Sequence, residues 1–121
     1  MKSFKELKVW RKAHELTLEI YQASKLFPDE ERYGLTSQIR RSAASVPANI
    51  AEGSGKNGDL EIARFLQISM GSASETEYHL ILARDLGYLD LEGYALLNAK
   101  VVEVKKMLNV FLQRLRSTAN R

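Results

Sequence analysis

The sequence predicts an all-α protein, an antiparallel up-down-up-down four-helix bundle with a proline-kinked second helix, on three observations. Apolar residues recur at helical spacing in four separate segments. Short connections rich in glycine, proline, asparagine and aspartate join those segments. Strand-like alternation is weak throughout, and four helices on short loops pack most simply with neighbours running in opposite directions. The 121 residues, 45% hydrophobic and 27% charged, suffice for one core and fall short of two, so residues 1–121 are read as a single domain.

The first helix is expected from about Glu6 to Leu26, stopped by Phe27-Pro28. At about 100° per residue, Val9, Ala13, Leu16, Ile20, Ala23 and Phe27 fall within roughly 80° and form a core stripe. Leu7, Trp10, His14, Leu18 and Tyr21 form a second group centred roughly 140° away. A corner helix of a monomeric bundle needs one apolar stripe, so the second points to burial against another subunit, where Trp and Tyr are favoured. The other reading is a broad core face with Trp10 and Tyr21 half-exposed at its edges.

Pro28 is suited to open the second helix, with Asp29, Glu30 and Glu31 where the N-terminal dipole favours carboxylates. Its apolar face is Leu35, Ile39, Ala43, Val46 and Ile50, and it ends near Gly53. Pro47 interrupts it: the ring supplies no amide hydrogen and presses on the carbonyl of Ala43, so a kink or a lost turn is expected. Ser42 and Ser45 are placed to hydrogen-bond freed backbone groups, while Ala43, Ala44, Ala48, Ala51 and Gly53 allow a neighbouring backbone close approach. Arg41, Ser45, Ala48, Asn49 and Glu52 share a polar face about 100° wide, with Arg41, Asn49 and Glu52 either joining a network across a subunit interface or facing water.

Ser54 to Gly58 reads as a loop, with Asp59 as N-cap of a third helix reaching about Leu86 and Gly87 as its C-terminal cap. The small residues Gly71-Ser72-Ala73-Ser74 are expected opposite the proline segment. Asp90 then caps a fourth helix to about Arg116, with Leu97, Val101, Val104, Leu108, Phe111 and Leu115 as its stripe.

Charge is unevenly distributed about a net +3. Residues 1–12 carry five basic groups against one glutamate, residues 100–121 six against one, and the segment between is net acidic. The expected topology puts both chain ends and Lys56 at one basic pole, and Asp29, Glu30, Glu31, Asp85, Asp90 and Glu92 at an acidic one. A pole of this kind suits a polyanionic partner, though terminal lysines also serve solubility.

The residues of catalysis are missing. Without cysteine there is no thiol nucleophile, disulfide or cysteine metal site. His14 and His79, the two histidines, stand on different helices without ligand spacing, and Glu75 and Glu77 point to different sides of theirs. Arg11 precedes His14 by three residues, poor support for the Arg–His pattern of some small helical RNases. No Gly-rich phosphate cradle or Ser–base pair is evident. These absences weigh against an enzyme, and no cofactor, metal or small-molecule substrate is expected. The charged N-terminus and the lack of a long apolar run exclude a secretory signal and a membrane span, so the expectation is a cytoplasmic protein.

Three stretches carry a resemblance. Leu7-Lys8-Val9-Trp10 with Ala13 is followed by Phe27-Pro28 and Glu31 to Leu35, and then by Gln38 to Ala43 and Ser45 to Gly53. Phe65-Leu66, Gly71-Ser72, Glu75 and Leu82 to Leu89 extend the pattern. Together they resemble the four-helix-bundle proteins encoded in intervening sequences of bacterial 23S ribosomal RNA genes, over nearly the whole chain to about Leu115. The resemblance implies an antiparallel bundle that assembles into a ring, a homopentamer, of bacterial origin. It brings no catalytic residues with it. A similar group of pentameric bundle proteins serves retroelement reverse transcriptases as nucleic-acid-binding accessory factors, an analogy of fold.

Two functions follow. One is a non-enzymatic ring binding RNA or another nucleic acid through the basic pole, with Lys2, Lys5, Lys8, Arg11, Lys12, Lys56, Lys105, Lys106, Arg114 and Arg116 as phosphate contacts. The other is a protein-interaction scaffold docking a partner on its acidic pole, rim or polar helix-2 face. In both, the self-contacts fall to Leu7, Trp10, His14, Leu18, Tyr21, Arg41, Asn49 and Glu52.

Overall fold

The computed structural model describes residues 3–119. Four helices follow in order: α1 Lys8–Ser24, α2 Leu35–Ser54, α3 Asp59–Asp85 and α4 Leu91–Ala119. Short 3-10 turns at Phe4–Glu6 and Asp29–Glu31 precede α1 and α2, and no strand occurs among the described residues.

Polar contacts between helices set the topology. Thr17 and Ser24 of α1 meet Ala43 and Arg40 of α2. Ser42 and Val46 of α2 meet Thr76 and Ser69 of α3. Gln67 and Glu77 of α3 meet Arg116 and Lys105 of α4, which closes on α1 with Glu103 beside Lys12 and Lys100 beside Glu19. Numbers rise along one helix as they fall along its neighbour, so adjacent helices run in opposite directions.

The core is the meeting of four stripes. Val9, Ala13, Leu16 and Ile20 of α1 face Leu35, Ile39, Ala43, Val46 and Ile50 of α2, and all are buried. α3 adds Ile62, Leu66, Ala73, Leu80 and Ala83, and α4 adds Leu97, Val101, Val104, Leu108, Leu112 and Leu115. Each large aliphatic side chain sequestered here contributes about 1.5–3 kcal/mol. On α4 the centre of the stripe differs from expectation: Leu112 is buried, whereas Phe111 is only half-buried at the edge toward α1.

α2 runs unbroken through Pro47, without the lost turn that proline allows. The carbonyl of Ala43, which would have bonded an amide at position 47, instead lies 3.0 Å from Thr17 Oγ1 of α1. That hydroxyl shares its proton with Ala13 O at 2.8 Å in its own helix. Compensation therefore comes from the facing helix rather than from Ser42 and Ser45. Those two serines point toward α3, Ser42 to Thr76 at 2.9 Å and Ser45 to Ser72 at 2.9 Å, and Ser69 Oγ donates to Val46 O at 2.8 Å. Ser72 and Ala73 thus form the small-residue contact opposite the proline segment, while Gly71 and Ser74 face outward. Near the end of α2, a Cβ on Gly53 would come within 3.0 Å of Phe65 Cβ, so α2 and α3 approach there over a glycine.

Helix ends depart from expectation twice. Pro28 opens only the 3-10 turn; α2 begins at Leu35, because Glu31 folds back and its Oε1 accepts the Leu35 amide at 3.0 Å. Glu31 Oε2 accepts the Tyr88 hydroxyl at 2.8 Å, and a Cβ on Gly34 would stand 2.6 Å from Oε1. At α3 the cap position is Gly58, with φ 84, and Asp59 is the first helical residue. Gly87, with φ 82, ends α3 as expected: its amide bonds Arg84 O and the Tyr88 amide bonds Ala83 O, a Schellman closure. Asp90 caps α4 through the Gly93 amide at 2.6 Å.

Two outcomes are expected in urea unfolding. Thr17→Val leaves the Ala43 carbonyl buried without a donor and costs about 1–3 kcal/mol, whereas Thr17→Ser retains most of that stability. In a Pro47→Ala background, where a backbone amide returns, the cost of Thr17→Val shrinks; an unchanged cost would refute the cross-helix compensation. Gly34→Ala, by expelling the Glu31 carboxylate from the start of α2, lowers stability by about 1 kcal/mol, read from the urea midpoint.

Candidate functional site

The basic chain ends converge. Lys8 at the start of α1, Lys106 at the middle of α4 and Arg114 in its C-terminal part line one groove of about 490 Å³, floored by Leu7, Val9, Met107, Val110 and Phe111. The turn carrying Lys5 packs against α2 as well as α1, and Phe4 shares a second groove with Ala51 near the α2 C-terminus. Lys56, in the following loop, lies 5.0 Å from the centre of the Phe65 ring.

The ten candidate phosphate contacts are not equivalent. Lys2 lies outside the described residues. Lys12 pairs with Glu103 at 3.5 Å and Lys105 with Glu77 at 2.8 Å, while Arg116 donates to Gln67 at 2.7 Å. Lys5, Lys8, Arg11, Lys106 and Arg114 are exposed and form no ion pair among the described residues. Helical register makes the difference: Lys105 faces α3 and pairs with Glu77, whereas Lys106, about 100° further round, stands on the ridge between the groove toward α3 and the groove toward α1 and forms no ion pair among the described residues.

The candidate self-contacts divide among three surfaces. Trp10, His14, Leu18 and Tyr21 stay together, as expected for a second stripe, along a groove of about 450 Å³ whose other wall is Ala44, Pro47, Ala48 and Ala51 of α2. Trp10 and His14 stack with centroids 5.0 Å apart and planes 7° from parallel, and Phe4 meets Trp10 edge-on at 5.1 Å. The Arg40 guanidinium lies over Tyr21 at 4.9 Å. The alanines and the proline ring keep this wall low, leaving the aromatics accessible. Leu7 belongs instead to the α1–α4 groove.

Arg41 turns toward α3, Asn49 bonds back to Ser45 within α2, and Glu52 is exposed. Asn49 Nδ2 donates to Ser45 O at 2.8 Å, and Arg41 lies 3.7 Å from Glu75. Beneath them runs a buried polar seam: His79 Nδ1 is 3.3 Å from Ser42 Oγ, which accepts from Thr76 and donates to Ile39 O. His79 Nε2 stands 3.7 Å from Glu75. Serine, histidine and glutamate thus occur in the order of a nucleophile, base and orienter. Ser42 is only 2% exposed, however, and the His79–Glu75 separation exceeds a hydrogen bond, so the seam is packing between α2 and α3. Burial pushes the His79 imidazole below its ordinary pKa; Glu75 opposes this shift and Arg41 adds to it.

Thr17, Phe4, Met107 and Val110 escaped the sequence reading. Thr17 could have been sought as a donor for the carbonyl that Pro47 strands. Val110, off the core stripe, had as its signal an aliphatic residue between cations on α4. No group of three or more metal-binding side chains occurs among the described residues, and no helix there is long and apolar enough to cross a membrane.

A bundle of four helices with a proline-centred second helix, small residues against α3 and cations at one end defines the class. A family model for 23S rRNA-intervening sequence proteins matches residues 5–110, and the chain belongs to that family. It is also similar to a crystal structure from Bacteroides thetaiotaomicron VPI-5482, a protein of unknown function from the S23 ribosomal protein family. The two agree with a TM-score of 0.80 at 30% identity, over 86% of this chain and 97% of that one. No curated protein matches.

His79 generates a pH prediction. Above its unfolded pKa near 6.5 both states hold the imidazole neutral. Below it the unfolded chain takes up the proton first, so stability declines as pH falls toward the depressed folded value. Urea midpoints measured from pH 7.5 to 5.5 are expected to fall more steeply for the wild type than for His79→Gln; parallel curves would remove His79 as the cause.

Proposed function

We propose that this protein is a non-enzymatic, cytoplasmic subunit of a homopentameric ring that binds RNA through its basic end. The observation that carries the reading is the convergence of Lys8, Lys106 and Arg114 on one groove, with Lys5 and Arg11 also free of carboxylate partners among the described residues. Cyclic symmetry repeats such a cluster on one face, and five copies concentrate a field that a single copy holds weakly. Cations set apart from the Phe4, Trp10 and His14 rings, which line the α1–α2 groove, favour recognition of phosphate and helical shape over base identity. The accessible Trp10, His14, Leu18 and Tyr21 against the low alanine wall support self-association through the α1–α2 groove. Ring closure in the family resemblance supplies the number five.

RNA binding is tested by titrating a structured ribosomal RNA fragment at several salt concentrations. Binding at low salt, with affinity falling linearly on a logarithmic plot as salt rises, is expected. Lys106→Glu with Arg114→Glu is expected to weaken it at least tenfold, and Lys105→Glu less, because Lys105 is already paired. Salt-independent binding or none at 50 mM salt refutes the reading. For assembly, Trp10→Ala is expected to shift the mass from ring to monomer with a smaller change in the stability of the isolated fold; sedimentation and urea unfolding of the same sample decide. An intact ring from Trp10→Ala, or its unfolding without dissociation, places the subunit contact elsewhere.

A further inference from the structure

The α1–α4 groove has a property that phosphate binding does not use. Its floor, Leu7, Val9, Met107, Val110 and Phe111, is apolar, and Val110 on it is 46% exposed. Among the described residues no carboxylate lines it. Its three cations, Lys8, Lys106 and Arg114, have no ion-pair partner among the described residues, although neighbouring lysines on the same helices do. Lys12, Lys100 and Lys105 are held by Glu103, Glu19 and Glu77.

We propose that this groove docks an acidic amphipathic helix of a partner protein, the apolar face of that helix on Leu7, Met107, Val110 and Phe111 and its flanking carboxylates on Lys8, Lys106 and Arg114. Charge complementarity selects the occupant: an apolar strip bordered only by cations matches a helix with apolar residues at i, i+3, i+4 and i+7 and acidic residues beside them. Length agrees as well. Lys106 and Arg114 stand eight steps apart on α4, about 12 Å at 1.5 Å per residue, or two turns of a docked helix. Met107 gives the floor an adaptable side chain of the kind that accommodates helical ligands. RNA does not need the apolar floor. A small amphiphile would rest on a groove formed by two helices and leave much of its own surface in water, whereas small-molecule sites bury most of the ligand; a helix brings its own outer face. The proposal stands whether or not the basic end also binds RNA, and it predicts that the two compete for Lys8, Lys106 and Arg114.

The probe is a synthetic, fluorescently labelled 18-residue helix with leucine at i, i+3, i+4 and i+7 and glutamate flanking it. Two controls accompany it: the same peptide with lysine for glutamate, and a scrambled sequence of identical composition. Anisotropy titration of the full-length protein is expected to show saturable binding of the acidic helix alone. Val110→Glu and the pair Lys106→Glu with Arg114→Glu should each weaken it at least tenfold; all three positions are exposed, and circular dichroism confirms that the variants fold. Methyl resonances of Met107 and Val110 should move on binding and those of Met70 should not. The proposal is overturned if the acidic helix fails to bind at millimolar concentration or binds no better than the scrambled peptide, or if the variants bind unchanged. It is equally overturned if the groove methyls respond only to protein concentration, which assigns the groove to a second copy of this chain, or only to dodecanoate, which assigns it to a small amphiphile. RNA titrations separate this proposal from RNA binding: loss of peptide binding in Val110→Asn, which leaves the charge of the groove unchanged, with RNA affinity retained supports two modes on one face.

Discussion

Much of this bundle depends on one stranded carbonyl. Pro47 removes the amide that Ala43 O would have bonded, and a buried acceptor without a donor costs about 1–3 kcal/mol. Thr17 meets the need from α1, so the rotation of α1 about its axis is constrained by a defect in α2. With Thr17 turned inward, Val9, Ala13, Leu16 and Ile20 fall on the core and Trp10, His14, Leu18 and Tyr21 on the groove beyond it. On the other side of α2, hydroxyl contacts from Ser42, Ser45 and Val46 O to Thr76, Ser72 and Ser69 hold α3 at close range. The two neighbours of α2 are thereby placed by directional bonds, which set register more sharply than apolar packing alone.

The architecture was legible because its causes are local. Apolar spacing marks the stripe of α2 residue by residue and that of α1 except at Ala23, which is only half-buried, and Gly87 and Asp90 act at the helix ends where their chemistry puts them. What could not be read depends on distance in sequence. The start of α2 at Leu35 is set by Glu31, itself held by Tyr88 from 57 residues away. A reading limited to Pro28 and its acidic followers sees a helix start there. Thr17 likewise looks like an ordinary polar residue until the Pro47 segment lies beside it.

The placement of the candidate residues was legible in outline and less so in detail. The meeting of cationic chain ends follows from four helices in alternating directions. Which cations remain available does not, because Lys105 and Lys106 differ only by one step around α4, yet the first meets Glu77 and the second a groove. The division of the self-contact candidates has the same origin. Leu7 sits one turn before Trp10, but the chain has not yet settled into α1 there: Leu7 is the cap residue with extended φ and ψ, so it turns to α4 instead.

The Glu31 carboxylate bears on the order in which the chain matures. It joins the first amide of α2 to a hydroxyl that follows the Gly87 turn, so the complete arrangement needs the α3 terminus in place. During synthesis, α1 and α2 leave the ribosome before Tyr88 does. Until then the opening turn of α2 has its carboxylate but not the phenol that holds it, and the aromatic contact of Phe27 with Tyr88, 5.5 Å between centroids, is also unmade. The corner of the N-terminal hairpin is therefore completed only by the second hairpin, and these contacts tie the two halves of the bundle together at the end opposite the chain termini.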